Sequence, residues 1–281
     1  MIALCEQTTI FEHKALWRRT NGERVFVKVF SSSDEKALQK ARGGVSRERT
    51  CLEVLEGLAV PRLVTLGKNE LPSMPGMEGA MVLAQSYAGE KDVHHIGLEP
   101  FQLVAAWVFV VEQLAAMRLH QIIYTDFKCG NVMASCDPLR ITIIDFDHSF
   151  PMDRPRKKLL CHGYTPGFAS PEAMQGDVGT ERSLVYECAL LLFHFLTDGD
   201  GGTLHHPRHG LPLALKRLGK MGASHLGEVL ASCLSTEPSA RPKHYEHLLQ
   251  CILQKNLPDK IAAFWRVQRA PYEARLQEVG L

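Results

Sequence analysis

The first clear pattern along the chain is an alternation. Val25, Val27 and Val29 interleave with Phe26, Lys28 and Phe30, a period of two rich in β-branched and aromatic residues that predicts a strand. A basic, polar segment passes through Gly43-Gly44 into a second pattern, in which Val45, Leu52, Leu55 and Leu58 recur at roughly helical spacing ahead of Pro61. That spacing predicts a helix with one inward face. Met81-Val82-Leu83-Ala84 reads as a further strand, running into Tyr87-Ala88-Gly89 as a connector. Beyond Gly89 the pattern turns helical. Residues 101–119 are apolar almost all round, as in a buried helix, and Leu190-Leu191-Leu192-Phe193 lies inside a second one. Between them, Ile141 to Ile144 forms a short strand after the turn residues Cys136-Asp137-Pro138. Strand-rich residues 1–87 followed by helix-rich residues 88–281 predict an α+β fold in two lobes, with the boundary near Tyr87 to Glu90.

Composition narrows the functional classes. Apolar residues make up 45% of the 281 and charged residues 22%, ordinary globular usage that excludes a disordered or collagen-like chain. Lys plus Arg is 32 against 31 for Asp plus Glu, a net charge of +1. A dedicated nucleic-acid binder would be basic, so no nucleic-acid partner is expected. Eight scattered cysteines with no C-x-x-C pair fit a reducing, cytoplasmic setting. Met1 to Thr9 lacks the basic and apolar regions of a signal peptide, and the apolar run Leu103 to Val111 stops at Glu112, too short to span a bilayer. No membrane partner is expected.

The groups that could carry chemistry fall in four segments. In Tyr124 to Asn131, Asp126 is followed by Lys128 at +2 and Asn131 at +5; Asp145 comes fourteen residues after Asn131, at the end of an apolar strand. Lys28 projects from the middle of the alternating strand, on the same face as Phe26 and Phe30, and Glu48 lies one helical turn before Leu52. These segments resemble the eukaryotic-type Ser/Thr protein kinase family. Val25-Phe26-Val27-Lys28 resembles V-A-I-K, Tyr124 to Asn131 resembles H-R-D-L-K-x-x-N, and Asp145-Phe146-Asp147 resembles D-F-G. Thr165 to Glu172 resembles the A-P-E region, and Cys233 to Pro242 a late C-L-x-x-x-P-x-x-R-P signature. The resemblance runs from about Val25 to Pro242 in the family's order.

It implies a bilobal kinase fold and transfer of the γ-phosphoryl of ATP, with Mg²⁺, to the Ser/Thr hydroxyl of a protein substrate. Lys28 would contact the α- and β-phosphates, paired with Glu48, while Asp145 and Asn131 would ligate Mg²⁺. Asp126 would orient the acceptor hydroxyl, Lys128 would steady the departing phosphoryl, and Thr165 would hydrogen-bond towards both. Gln85-Ser86-Tyr87 would be the adenine-binding hinge, with the small side chain of Ala84 leaving a recess behind the base. Glu172 and Arg241 resemble the family's buried ion pair. Lys128 and the segment Thr165 to Glu172 favour a protein substrate over a small molecule. A pseudokinase scaffold is the main alternative and a small-molecule kinase the third.

The pattern breaks in several places. No glycine precedes Gly22, so G-x-G-x-x-G is absent, and with it the loop whose backbone amides approach phosphate closely. Asp147 replaces the glycine of D-F-G, Tyr124 and Thr125 replace the first two residues of H-R-D, and Leu184 stands where an aspartate would tether the catalytic loop. With Thr125 neutral, no cation there needs a phosphorylated partner, and Ser149 and Tyr164 are the only hydroxyl residues between Asp147 and Tyr164. Activity independent of loop phosphorylation is therefore expected. Asp198 to Gly202 starts like a calcium loop but has His209 at its twelfth position, which excludes that reading. His205 to His209 and the run Arg154 to Lys158 read as solvated loops.

Overall fold

A computed structural model describes residues 10–19, 21–32, 35–66, 81–152, 167–176, 179–197 and 207–281. Thr165, the run Arg154 to Lys158, Asp198 to Gly202 and the segment ahead of Ile10 lie outside the described residues.

The alternating valines build an antiparallel meander. Strands β1 (Ile10–Arg18), β2 (Arg24–Ser32) and β3 (Met81–Ser86) pair in that order. Val25, Val27 and Val29 pack on one face against Ala84, with Trp17, Val64, Leu66 and Val82 around them. The opposite face carries Phe26 and Lys28 and looks into a cleft. Helix α1 (Glu35–Val54) packs against β2 and β3. It starts earlier than the apolar spacing predicts, runs through Gly43-Gly44, and ends before Leu55 and Leu58, which are buried beyond its end.

The remainder forms around one helix. After β4 (Lys91–Asp92) comes α2 (Pro100–Leu119), with fifteen residues from Leu103 to Met117 all buried. It is the one helix among the described residues long and apolar enough to cross a membrane, which corrects the expectation of a run too short to span. Here its surface is covered by protein. Glu112 does not interrupt the apolar stretch because Arg269 Nε and Trp265 Nε1 donate to its carboxylate at 2.8 and 3.2 Å. Next come β5 (Ile122–Ile123), β6 (Val132–Cys136), β7 (Leu139–Ile143) and β8 (Phe150–Pro151). They form two small sheets, β4-β6-β7 and β5-β8. The sheets hold two loops, 124–131 and 144–149, at the edge of the cleft.

Helices α3 (Pro171–Met174), α4 (Glu181–Thr197), α5 (Pro207–Lys220), α6 (Ser224–Cys233), α7 (Tyr245–Leu253), α8 (Asp259–Arg269) and α9 (Glu273–Glu278) complete the second part. α2 packs against α4, α7 and α8. The fold is α+β, with a small sheet-bearing part above a larger helical one. The two are joined by 87–90 and by the Ile143 N–H donating to the Ala59 carbonyl at 2.8 Å.

Two of the acidic side chains in the helical part are satisfied in different ways. Arg241, fully buried at its side chain, donates to both carboxylate oxygens of Glu172 at 2.5 and 3.1 Å, and its guanidinium lies 4.7 Å from the Tyr186 ring centroid. Next to Tyr186 on α4, Glu187 accepts from the Ser170 N–H and hydroxyl at 3.2 and 3.1 Å. Burial outweighs those bonds and pushes the Glu187 carboxyl up to about 7. Between the usual carboxylate range and pH 7 the folded chain therefore holds a proton that the unfolded chain has lost, so stability falls as pH rises through this window. Glu187→Gln keeps an acceptor for Ser170 without the charge. It should unfold at the same temperature as wild type at pH 5 and be more stable by on the order of 2–3 kcal/mol at pH 8. Thermal melts of both proteins across pH 5–8 read the difference directly.

Candidate active site

The cleft between the two parts has a volume of about 370 Å³, and its lining brings together groups far apart in sequence. From the sheet come Lys14, Phe26, Lys28, Gln85 and Ser86; from the connector, Tyr87 to Gly89; from the helical part, Lys128, Gly130, Asn131, Met133, Ile144 and Asp145.

The centre of this wall is Lys28, only 5% exposed. Its Nζ donates to both Glu48 carboxylate oxygens at 2.9 Å and to Asp145 Oδ1 at 2.8 Å. Burial opposes the ammonium charge, but the two carboxylates outweigh it and raise the Lys28 pKa above its usual value. Burial likewise opposes the Asp145 charge, and Lys28 overcomes it, holding that carboxyl below its usual range. Asp145 adopts a left-handed backbone, φ 68°, a conformation that Asp tolerates better than most residues. Glu48 reaches Lys28 because α1 runs straight past β2, and Gln85 Nε2 donates to Glu48 Oε1 at 2.8 Å.

A second group lies on the loop 124–131. The Asp126 carboxylate accepts from Lys128 Nζ at 2.6 Å and from Asn131 Nδ2 at 2.7 Å, and Asn131 Nδ2 also donates to the Asp126 carbonyl at 2.8 Å. The amide nitrogen of Asn131 is thus spent on Asp126, which leaves the oxygen end of the amide for a cation. Tyr124 fastens the two loops: its hydroxyl donates to the Ile144 carbonyl at 2.8 Å and to the Asp126 carbonyl at 3.1 Å. Its ring stacks edge-on against Phe146 and Phe127. The Tyr245 hydroxyl on α7 donates to the Tyr124 carbonyl at 3.3 Å, while Leu184 is buried in the apolar core. The loop thus receives a hydrogen bond from α7. Thr125 Oγ1 donates to the His148 carbonyl at 3.1 Å.

Asp147 stands just outside the wall. Arg47 Nε on α1 donates to its carbonyl at 3.0 Å, and burial together with the charge of Asp145 raises its carboxyl pKa. Ser149 is buried, 1% exposed.

One expectation is overturned. Ala84 does not back the cleft. It faces the other side of the sheet with Val25 and Val27 and lines a separate hollow of about 480 Å³ beside the segment 63–66. Alternation along β3 brings Gln85, not Ala84, to the back wall, where it is 3% exposed. The assumed register was one residue out, so the site ascribed to a small side chain is filled by an amide. Gln85 is accordingly a back-wall residue bonded to Glu48 and not part of the hinge. Tyr87 does line the cleft at the connector. Arg24 lies over its ring at 4.2 Å and bridges to Glu90 at 3.0 Å, and Glu90 accepts from the Cys136 N–H at 3.2 Å. Gly89, φ 153°, passes so close to β6 that a Cβ would sit 2.3 Å from the Ala134 carbonyl. Lys14 was missed by the sequence reading. Its signal was the register of two lysine-bearing strands, which no single-strand pattern displays.

A model of the family described as protein kinase domain matches residues 13–263. No curated protein matches the chain.

The Lys28 network predicts its own cost of disruption. Lys28→Met leaves two carboxylates on one wall without their shared cation, and should destabilise the fold by about 3 kcal/mol in urea unfolding. Adding Glu48→Gln to Lys28→Met should recover part of that loss. A Lys28→Met protein as stable as wild type would mean the wall does not depend on the ammonium.

Proposed function

The chain belongs to the protein kinase family, and from that we propose that it is an ATP- and Mg²⁺-dependent Ser/Thr protein kinase. The observation that carries the reading is convergence. Lys28, Asp145, Asn131 and Lys128 line one cleft, and Asp126 is bonded to two of them.

The residues fit a nucleotide with its metal. Asp145 and Asn131 offer hard oxygen donors beside a cationic wall, the donor set that Mg²⁺ prefers. When bound there, the metal would supply charge neutralisation for the phosphates. Lys28, freed in part from its carboxylates, binds phosphate oxygens, and Glu48, held by Gln85, keeps Lys28 aimed. The apolar part of the lining, with Phe26, Met133 and Ile144, receives the base, and Tyr87 shapes the connector side. Asp126 orients the acceptor hydroxyl and takes its proton, and Lys128 offsets charge on the phosphoryl group as it passes. Thr165 is assigned a supporting bond to Asp126 and Lys128. The Ser/Thr preference rests on the Lys at +2 from Asp126 and on Thr165 to Glu172.

A pseudokinase reading is favoured by two observations: the absence of any glycine before Gly22, and Asp147 beside the site. The two readings separate experimentally. For the kinase, ATP with Mg²⁺ should raise the melting temperature more than ATP with chelator, since a ligand bound only to the native state adds stability. Purified protein should also transfer label from γ-labelled ATP to generic Ser/Thr acceptors. Asp126→Asn should lower transfer about a hundredfold or more while retaining ATP binding, and Asp145→Ala should remove the metal dependence. An equal thermal shift with and without metal, and no transfer, supports the scaffold. Phosphatase treatment and Ser149→Ala should leave the initial rate unchanged.

The position of Gln85 gives a further expectation. ATP analogues with bulky N6 substituents should fail to compete with ATP in the wild-type protein and should be admitted by Gln85→Gly. Competition assays with both proteins test it.

A further inference from the structure

We propose that Arg275, on the last helix, is a positioning residue for the Lys28–Glu48 pair: by holding the end of α1 it sets where Glu48 stands. The proposal rests on the phosphotransfer reading above, in which Glu48 keeps Lys28 aimed at phosphate.

Three observations lead there. The first is a bond between the two parts of the molecule. Arg275 Nη2 on α9 donates to the carbonyl of Val54, the last residue of α1, at 3.0 Å. Carbonyls at a helix C-terminus lack partners within the helix and form the negative end of its dipole. The last turn of α1 has no basic residue of its own, so the cation comes from α9. The Arg275 stem also lies across Gly57, its Cγ 3.6 Å from where a Cβ would stand.

The second observation is that α9 is itself fixed. Leu276 is fully buried, in the same core as Leu52, Leu55 and Phe109. The Glu273 carboxylate accepts from Arg269 Nη1 at 2.9 Å, and Arg269 in turn donates to Glu112 on α2. The Tyr272 ring, just before α9, lies 5.7 Å from that of Phe109 on α2. The end of α1 is thereby tied to the central helix of the other part. Because α9 lies beyond residues 13–263, this tie is added to the region shared with the family.

The third is leverage. Glu48 and Val54 belong to one helix, six residues apart, which is about 9 Å along its axis. A shift of α1 at Val54 moves Glu48 with it, and the contacts of Glu48 with Lys28 at 2.9 Å leave little slack.

The test measures initial rates of transfer from γ-labelled ATP at saturating nucleotide. It compares wild type, Arg275→Met, Arg275→Ala, Arg275→Lys and Glu278→Gln, and repeats the Met and Ala changes in a Glu48→Gln background. Arg275→Met and Arg275→Ala should lower kcat by about tenfold, with the acceptor KM unchanged, at a temperature where melts show them folded. Arg275→Lys keeps a cation at the helix end and should recover most of the rate. Glu278→Gln removes the exposed carboxylate paired with Arg275 Nη1 and leaves the bond to Val54, so its rate should match wild type. In Glu48→Gln the changes at Arg275 should have no further effect, because the group they misplace is gone. A merely structural role would lower both backgrounds by the same factor. Equal losses in the two backgrounds, or no loss in Arg275→Met and Arg275→Ala, overturn the proposal alone. A wild-type protein that transfers no label removes the phosphotransfer reading and this proposal with it.

Discussion

Everything at the cleft is arranged around one buried ammonium. Lys28 lies on a strand, Glu48 on a helix and Asp145 on a loop of the other half of the molecule. A single charge therefore fixes the distance between α1 and the sheet and between the sheet and the loop 144–149. A lone charge at that depth would neutralise itself. With two carboxylates its charged form is favoured, and the strained Asp145 turn is held by the same attraction. Gln85 adds a fourth member through Glu48, so the network extends from α1 to the end of β3.

The helical part solves a different problem. Groups that would ordinarily be satisfied by particular side chains are satisfied here by others. Tyr124 spans the two loops with one hydroxyl and two aromatic contacts, and Tyr245 holds Tyr124 from behind. Leu184 then costs nothing, because it sits in apolar surroundings and the loop is held from α7. The Arg241–Glu172 pair is likewise complete, with the Ser183 hydroxyl donating to Glu172 Oε1 at 2.6 Å. Removing one partner of such a pair is costly because the other stays buried.

The strands and helices with long, regular patterns were legible in the sequence. The valine alternation marks β2, and the unbroken apolar run marks α2. Lys28, Glu48, Asp126, Lys128, Asn131 and Asp145 were legible as a set because the segments that hold them resemble the protein kinase motifs in the family's order. Register was not. Ala84 and Gln85 differ by one position, and on a strand one position is the whole difference between opposite faces. The sequence of β3 alone, buried on both faces, contains no signal to choose between them. The start of α1 was hidden for another reason: its first turns are polar and glycine-bearing, and they form because the helix continues, not because an apolar face demands it. Lys14 gained meaning only when β1 was laid against β2.

The connector has a consequence for how the sequence can drift. The Arg24–Glu90 bridge that spans it is about two-fifths exposed at each partner, and such a pair is worth about 1 kcal/mol or less. Both positions can change in descendants with little effect on the fold. Gly89 cannot: any side chain would meet the backbone of β6 at a distance no pair of atoms occupies, and the strand behind it has nowhere to move. Divergence in this region is therefore channelled, with charge and aromatic identity free to wander around a fixed glycine.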